Sequence, residues 1–263
     1  SATVVQLPDI PSPDDKSRYL VYTGEEPAPD FDPYWDNVVI LAHLNGMNGS
    51  TNFPDEKGNE QWHVGNPVIS TDTYKFGGAS ALFHGGEDRL GWYIDSEAAI
   101  GTQDFTIELF VYRDSVTASE NKTLVANRNN LPSTGGYTLS LRSDGTVALW
   151  DATSGSVIRA ESTNTIIPNA WNHVMVSRKD GVFRVGVNGI VTTGVTANSS
   201  FVAGTPSLGR YPQSDSSNAR PFIGYLDEFR MTVGVARYTE DYEVPDREFP
   251  RRGPPSLTPP LTN

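Results

Sequence analysis

The sequence predicts an all-β chain, an antiparallel sandwich or jelly roll, with extended proline-rich arms at both ends. Three observations predict it. Period-2 alternation runs through the middle of the chain while helical periodicity is scarce. Turn signals recur about every ten residues, the rhythm of short antiparallel strands. Of the 19 prolines, six stand in residues 1–33 (Pro8, Pro11, Pro13, Pro27, Pro29, Pro33) and six more in residues 245–263.

Taken in order, residues 1–35 read as an arm, because proline removes a ladder donor and stiffens an extended chain. The arm is not uniformly polar. Tyr19, Leu20, Val21, Tyr22, Phe31, Tyr34 and Trp35 are costly to leave in water and are expected to pack on the chain's own core or on a neighbouring subunit. Residues 36–245 form the body. In DFTIELFVYRD, Phe105, Ile107, Leu109 and Val111 share one face, and Thr106, Glu108, Phe110 and Tyr112 the other. GYTLSLRSDGTVALWDA reads as a hairpin turning at Ser143-Asp144-Gly145. WNHVMVSRKDGVFRVGVNGIVTTG holds two more, turning at Asp180-Gly181 and Asn188-Gly189, where tight hairpins require positive φ. Residues 246–263 form the second arm, ending in RRGPPSLTPPLTN, a polyproline-like segment suited to lying along another subunit.

Composition excludes several function classes. The 263 residues contain no cysteine, which removes disulfides, thiolate metal sites and thiol nucleophiles and suits folding in a reducing cytoplasm. A net charge of −12 argues against nucleic acid and anionic membrane as partners. No stretch reaches the roughly 18 apolar residues of a membrane span. Ser1 reads as the product of initiator methionine removal, a cut signal peptide being the alternative.

KFGGASALFHGGEDRLGW (75–92) has the glycine density of a phosphate loop but neither G-x-x-x-x-G-K-[ST] nor G-x-G-x-x-G, and no helical pattern follows it. Its glycines read as tight bends and close backbone approaches. His43, His63, His84 and His173 lack ligand spacing, and His173 reads as a satisfied core histidine. Two acid pairs invite a catalytic reading. Asp104 and Glu108 share a face only if their strand begins before Asp104, and Asp227 and Glu228 are adjacent. Leu226, Phe229 and Met231 keep alternation only if a bulge sits at Asp227–Glu228. For sugar binding, Trp62, Trp92, Tyr93 and Trp150 offer ring faces, Tyr211 sits in a long polar loop, and Trp171 reads as a core anchor.

VVILAHLNGMNGSTNFPDEKG (38–58), the glycine stretch, DFTIELFVYRD, WNHVMVSRKDGVFRVGVNGI and PFIGYLDEFRMTVGVARYTEDY (221–242) follow one another in an order that resembles the laminin-G-like branch of the concanavalin A-like lectin/glucanase jelly rolls. The resemblance spans roughly residues 36 to 245 and implies two packed antiparallel sheets, with Ala79, Ala81 and Phe83 facing the core. It implies a rim calcium held by Asp55, the carbonyl of Gly58, Asp88 and Asp227; the alternative has Asp55 and Asp88 as ordinary turn acids. The family's glycosidases carry E-x-D-x-x-E on the catalytic strand, and this chain does not, so no catalytic residue is expected. Trp35–Val39 and Ala236–Tyr242 resemble laminin-G-like chains of tailed bacteriophages. That likeness implies a non-enzymatic capsid-decoration, tail or fibre protein, made in the bacterial cytoplasm and displayed on the virion exterior. Its partners would be other virion proteins, symmetry-related copies and host surface glycans, with Tyr19, Tyr22, Phe31, Tyr34, Arg251 and Arg252 as docking residues. A free carbohydrate-binding module and a glycoside hydrolase of the same fold are the alternatives.

Overall fold

Strands and turns account for the regular structure of the computed structural model, which describes residues 3–5, 20–22, 31–94, 99–114, 120–127, 135–153, 155–201, 204–211 and 220–254. Two short strands, β1 (Thr3–Val5) and β2 (Leu20–Tyr22), pair antiparallel with each other. After a 3-10 turn at Trp35–Asn37 come β3 (Val38–Ala42), β4 (Gln61–Val64), β5 (Val68–Ser70), β6 (Ser80–His84) and β7 (Arg89–Trp92). Next are β8 (Phe105–Tyr112), β9 (Lys122–Asn127), β10 (Tyr137–Leu141), β11 (Val147–Asp151) and β12 (Val157–Glu161). The body closes with β13 (Asn172–Lys179), β14 (Val182–Val187), β15 (Ile190–Thr196), β16 (Ser207–Leu208) and β17 (Ile223–Val233). No helix among the described residues is long and apolar enough to cross a membrane.

The strands form two antiparallel sheets. One has seven strands in the order β12-β11-β10-β9-β16-β7-β4, and the other has eight, β15-β14-β13-β8-β17-β6-β5 with β3 also on β17. Inner faces supply the core that alternation predicts: Phe105, Ile107, Leu109 and Val111 of β8 meet Leu139, Leu141, Val147 and Leu149 of the opposite sheet, all buried. Ala79, Ala81 and Phe83 belong to the same core. Arg178 is also inside, fully buried above Phe105, Phe183 and Phe201, with its guanidinium on the carbonyls of Gly101, Gln103 and Ser199. The hairpin turns sit where the sequence puts them. Asn188 and Gly189 have φ of 51° and 86°, as a type I′ turn needs.

The bulge in β17 organises the larger sheet. Along one side, Ile223–Leu226 pair with β6 and Phe229–Thr232 with β3, while β8 runs the length of the other side. Register against β8 shifts between Asp227 and Arg230, and Glu228 takes φ of 52°. One extra residue lets a single strand change neighbours while Leu226, Phe229 and Met231 all stay in the core.

Both boundaries read from the sequence fall inside packed structure. Residues 31–35 and 246–253 lie on the outer face of the eight-stranded sheet, where Val38, Leu41, Phe110 and Phe249 form a second apolar cluster with Trp35, Phe76 and Trp171 against it. Trp171 therefore supports this outer cluster and not the core between the sheets; its ring lies 5.6 Å from Tyr112. Asp32 donates its N–H to the Arg252 carbonyl at 2.8 Å, so the two ends of the body meet.

Candidate functional site

Two places concentrate polar chemistry, one on the outer face of each sheet. On the eight-stranded sheet, Thr106, Glu108 and His173 point away from the core yet are fully buried, because residues 234–253 cross above them as a strap. Thr106 Oγ1 donates to the Val235 carbonyl and accepts the Arg237 N–H. Ser177 Oγ donates to the Tyr238 carbonyl, and the Tyr238 hydroxyl to Glu108 Oε2 at 2.9 Å. Arg230 donates through Nε and Nη2 to Glu108 Oε1 and through Nη1 to Asp32 Oδ2, and Arg237 clasps both Asp32 oxygens. His173 Nε2 lies 3.3 Å from Glu108, and its Nδ1 is 2.6 Å from the Tyr242 hydroxyl; the histidine expected in the core is buried instead beneath the strap, on the outer face of the sheet. Burial works against the Glu108 carboxylate, but Arg230, His173 and Arg237 outweigh it and hold the group below the ordinary carboxylate range.

Beside this network lies the predicted acid pair. Asp227 accepts the N–H groups of Lys75, Phe76 and Glu228; Glu228 accepts the Phe249 N–H and pairs with His43 Nδ1 at 2.7 Å. Burial, then the Glu228 charge, push Asp227 up to about 8, and burial pushes Glu228 up against the pull of His43. A carboxyl whose pKa is higher in the folded state favours the fold most below its ordinary 3.8 and loses that contribution as pH rises through about 8. The melting temperature should therefore fall between about pH 4 and about pH 8 and level off above that, and Asp227→Asn should flatten that fall. A wild-type profile that stays level over this range would contradict the assignment.

The other predicted acids cap turns. Asp104 stands just before β8 and ties down the β13–β14 hairpin through Lys179 Nζ and the Asp180 N–H, so it does not share a face with Glu108. Asp55 accepts from the Leu41 and Asn59 N–H groups, while its neighbour Gly58 donates its own N–H to the Asp55 carbonyl. Asp88 accepts from Asn66 N–H, His84 N–H and the His84 ring. Asp55, Asp88 and Asp227 thus hold three different loops, and no group of three metal-ligating side chains gathers among the described residues.

The outer face of the seven-stranded sheet is different. Leu90 and Trp92 face the core, so Arg89 and Gly91 face outward. Strand register then sets Trp62, Gly91, Ser207, Ala126, Thr138, Trp150 and Ile158 in one row across the sheet. Small residues lie between two indoles that are five strands apart, about 24 Å at ordinary strand spacing. Thr123 and Thr138 carry buried hydroxyls with no hydrogen-bond partner.

Of the ring faces expected to bind, Trp92 and Tyr211 are corrected. Trp92 is fully buried, stacked 5.6 Å from Phe229, with Nε1 on the Phe53 carbonyl. It is in phase with Leu90, which places it inside. Tyr211 is buried as well. Trp62 and Trp150 are half-buried and Tyr93 is exposed. Among the docking residues, Tyr34 lies under the Arg237 guanidinium, Phe31 is half-buried, and Arg251 pairs with Glu56 and Glu248. Arg252 is exposed. Tyr19 and the Tyr22 side chain lie outside the described residues.

A family model described as concanavalin A-like lectin/glucanases superfamily matches residues 87–235. No curated protein matches the chain at the sequence level. Among solved structures, domain 4 of AbnA, a GH43 extracellular arabinanase from Geobacillus stearothermophilus in complex with arabinotriose, shares 18% identity at a TM-score of 0.54, over 75% of this chain and 94% of that one. The binding domain of Botulinum neurotoxin DC, in complex with rat synaptotagmin II, shares 10% at 0.55, over 76% and 48%. The binding domain of Paraclostridial Mosquitocidal Protein 1 shares 16% at 0.53, over 78% and 50%. The chain thus spans about half the length of the two toxin domains. At these identities the likeness is one of fold.

Proposed function

Because the chain belongs to the concanavalin A-like lectin/glucanases superfamily, we propose that it is a non-catalytic adhesion and assembly protein of a bacteriophage particle, with the sandwich displayed outward and the proline-rich ends attaching it. One observation carries this reading: the Asp32 N–H to Arg252 carbonyl bond sets both ends of the body side by side. The described body therefore begins and ends at one patch. The stretches that resemble phage proteins, Trp35–Val39 and Ala236–Tyr242, adjoin that patch: Asn37 Nδ2 bonds the Val233 carbonyl and Arg237 grips Asp32. The state of the acids supports a non-catalytic role. Glu108 is neutralised by arginine, and Asp227 and Glu228 are spent on backbone N–H groups and His43. Deleting residues 1–30, which spares Asp32, should abolish incorporation into particles while the melting temperature stays within a few degrees. Incorporation at the wild-type level would refute the attachment role.

A second reading, a free carbohydrate-binding module, draws on the Trp62-to-Trp150 row and on the arabinotriose held by the AbnA domain. It is favoured if glycan binding persists where no particle function can be found.

A further inference from the structure

Trp62 and Arg89 stand on adjacent strands β4 and β7, on the outward face at the edge of the seven-stranded sheet. Val64 opposes Arg89 and Trp62 opposes Gly91, while Leu90 points inward. The indole passes so close to Gly91 that a Cβ there would lie 2.5 Å from Trp62 Cζ2, so the sheet supports one side of the ring. The Arg89 guanidinium is 5.8 Å from the ring centroid. Arg210, two residues beyond β16, is 2% exposed and joins the same cluster through Glu87, which its Nη1 grips.

The hydrogen bonding here is one-sided. Trp62 Nε1, Arg89 Nε and Arg210 Nε are all buried N–H groups without an acceptor. Leaving buried donors unpaired is costly, and three in one neighbourhood call for an acceptor-rich occupant. The charges agree. Arg210 is paired with Glu87, whose side chain is largely exposed, whereas Arg89 makes no ion pair among the described residues. Burial and then the Arg210 charge push Arg89 below the ordinary arginine range, with Glu87 opposing.

We propose that Trp62, Arg89 and Arg210 form a binding site for a sugar ring bearing a carboxylate, such as a hexuronate unit of an acidic polysaccharide. The indole offers an apolar face to the pyranose, and the planar guanidinium fork of Arg89 suits a carboxylate. This deepens the adhesion half of the proposed function. Its test uses the purified full chain in solution and does not depend on particle incorporation, so either claim can fail alone.

The experiment is a titration followed by tryptophan fluorescence and calorimetry, with a hexuronate oligomer, a neutral hexose oligomer of equal length, and inorganic phosphate. The acidic oligomer should bind at least about tenfold more tightly than the neutral one, and phosphate should not displace it. Arg89→Gln, at a half-exposed position, should weaken binding by about tenfold or more with an unchanged circular dichroism spectrum; Arg89→Lys should recover only part. Trp62→Ala should weaken it too. Equal binding of both oligomers, binding of neither, displacement by phosphate, or an unaffected Arg89→Gln variant would each overturn the proposal.

Discussion

Methionine in place of Arg230 should remove about 3–5 kcal/mol of stability, the cost of breaking a buried charge pair from one side. Arg230 donates to both Glu108 and Asp32 through three of its nitrogens, and all three residues are buried. Without it, Glu108 keeps only His173, Tyr238 and a longer contact to Arg237 at 3.7 Å. Denaturant unfolding measures the loss directly. Adding Glu108→Gln to Arg230→Met should recover part of it, because the second change removes the stranded charge. A loss under about 1 kcal/mol for the single variant would show that the network is no more than a solvated surface cluster.

Truncation after Gly234 should have a larger effect still: a chain that no longer melts cooperatively. The strap half-buries Tyr238 and Tyr242, buries Phe249, and covers Glu108, His173 and Phe110. One buried and two half-buried aromatic side chains represent about 3–5 kcal/mol, a large share of the net stability of a typical domain at about 5–15 kcal/mol. The strap is held along its length. Tyr242 N–H bonds Gly189, Asp241 Oδ1 accepts the Val191 N–H at the sheet edge, and Phe249 N–H bonds Glu228. Calorimetry and soluble yield would test this. A truncated chain that melts cooperatively near the wild-type temperature would mean that the strap is an accessory.

The two outcomes bear on what the sequence can disclose. Hairpins were legible because their cause is local: Asp180-Gly181 and Asn188-Gly189 turn the chain whatever surrounds them. The β17 bulge was legible for a related reason, since three apolar residues could not otherwise share one face. Trp92 has the residue type of a surface ring, but its phase with Leu90 places it inside, and the period decides. The strap network left no such trace. Asp32, Glu108, Arg230 and Arg237 each look like solvent-face charges in their own segments, and they meet only because the fold joins positions 198 residues apart. The Trp62–Arg89–Arg210 cluster depends likewise on β16 lying beside β7, a pairing that strand periodicity does not encode.

The hydrogen bond between Asp32 and Arg252 has a practical corollary. A folded unit whose entry and exit points touch can be spliced into a surface loop of an unrelated host without prising that loop apart. Transplanted this way, residues 31–254 would ride as a cassette, and the recipient would gain a new face while its own backbone path stayed as it was.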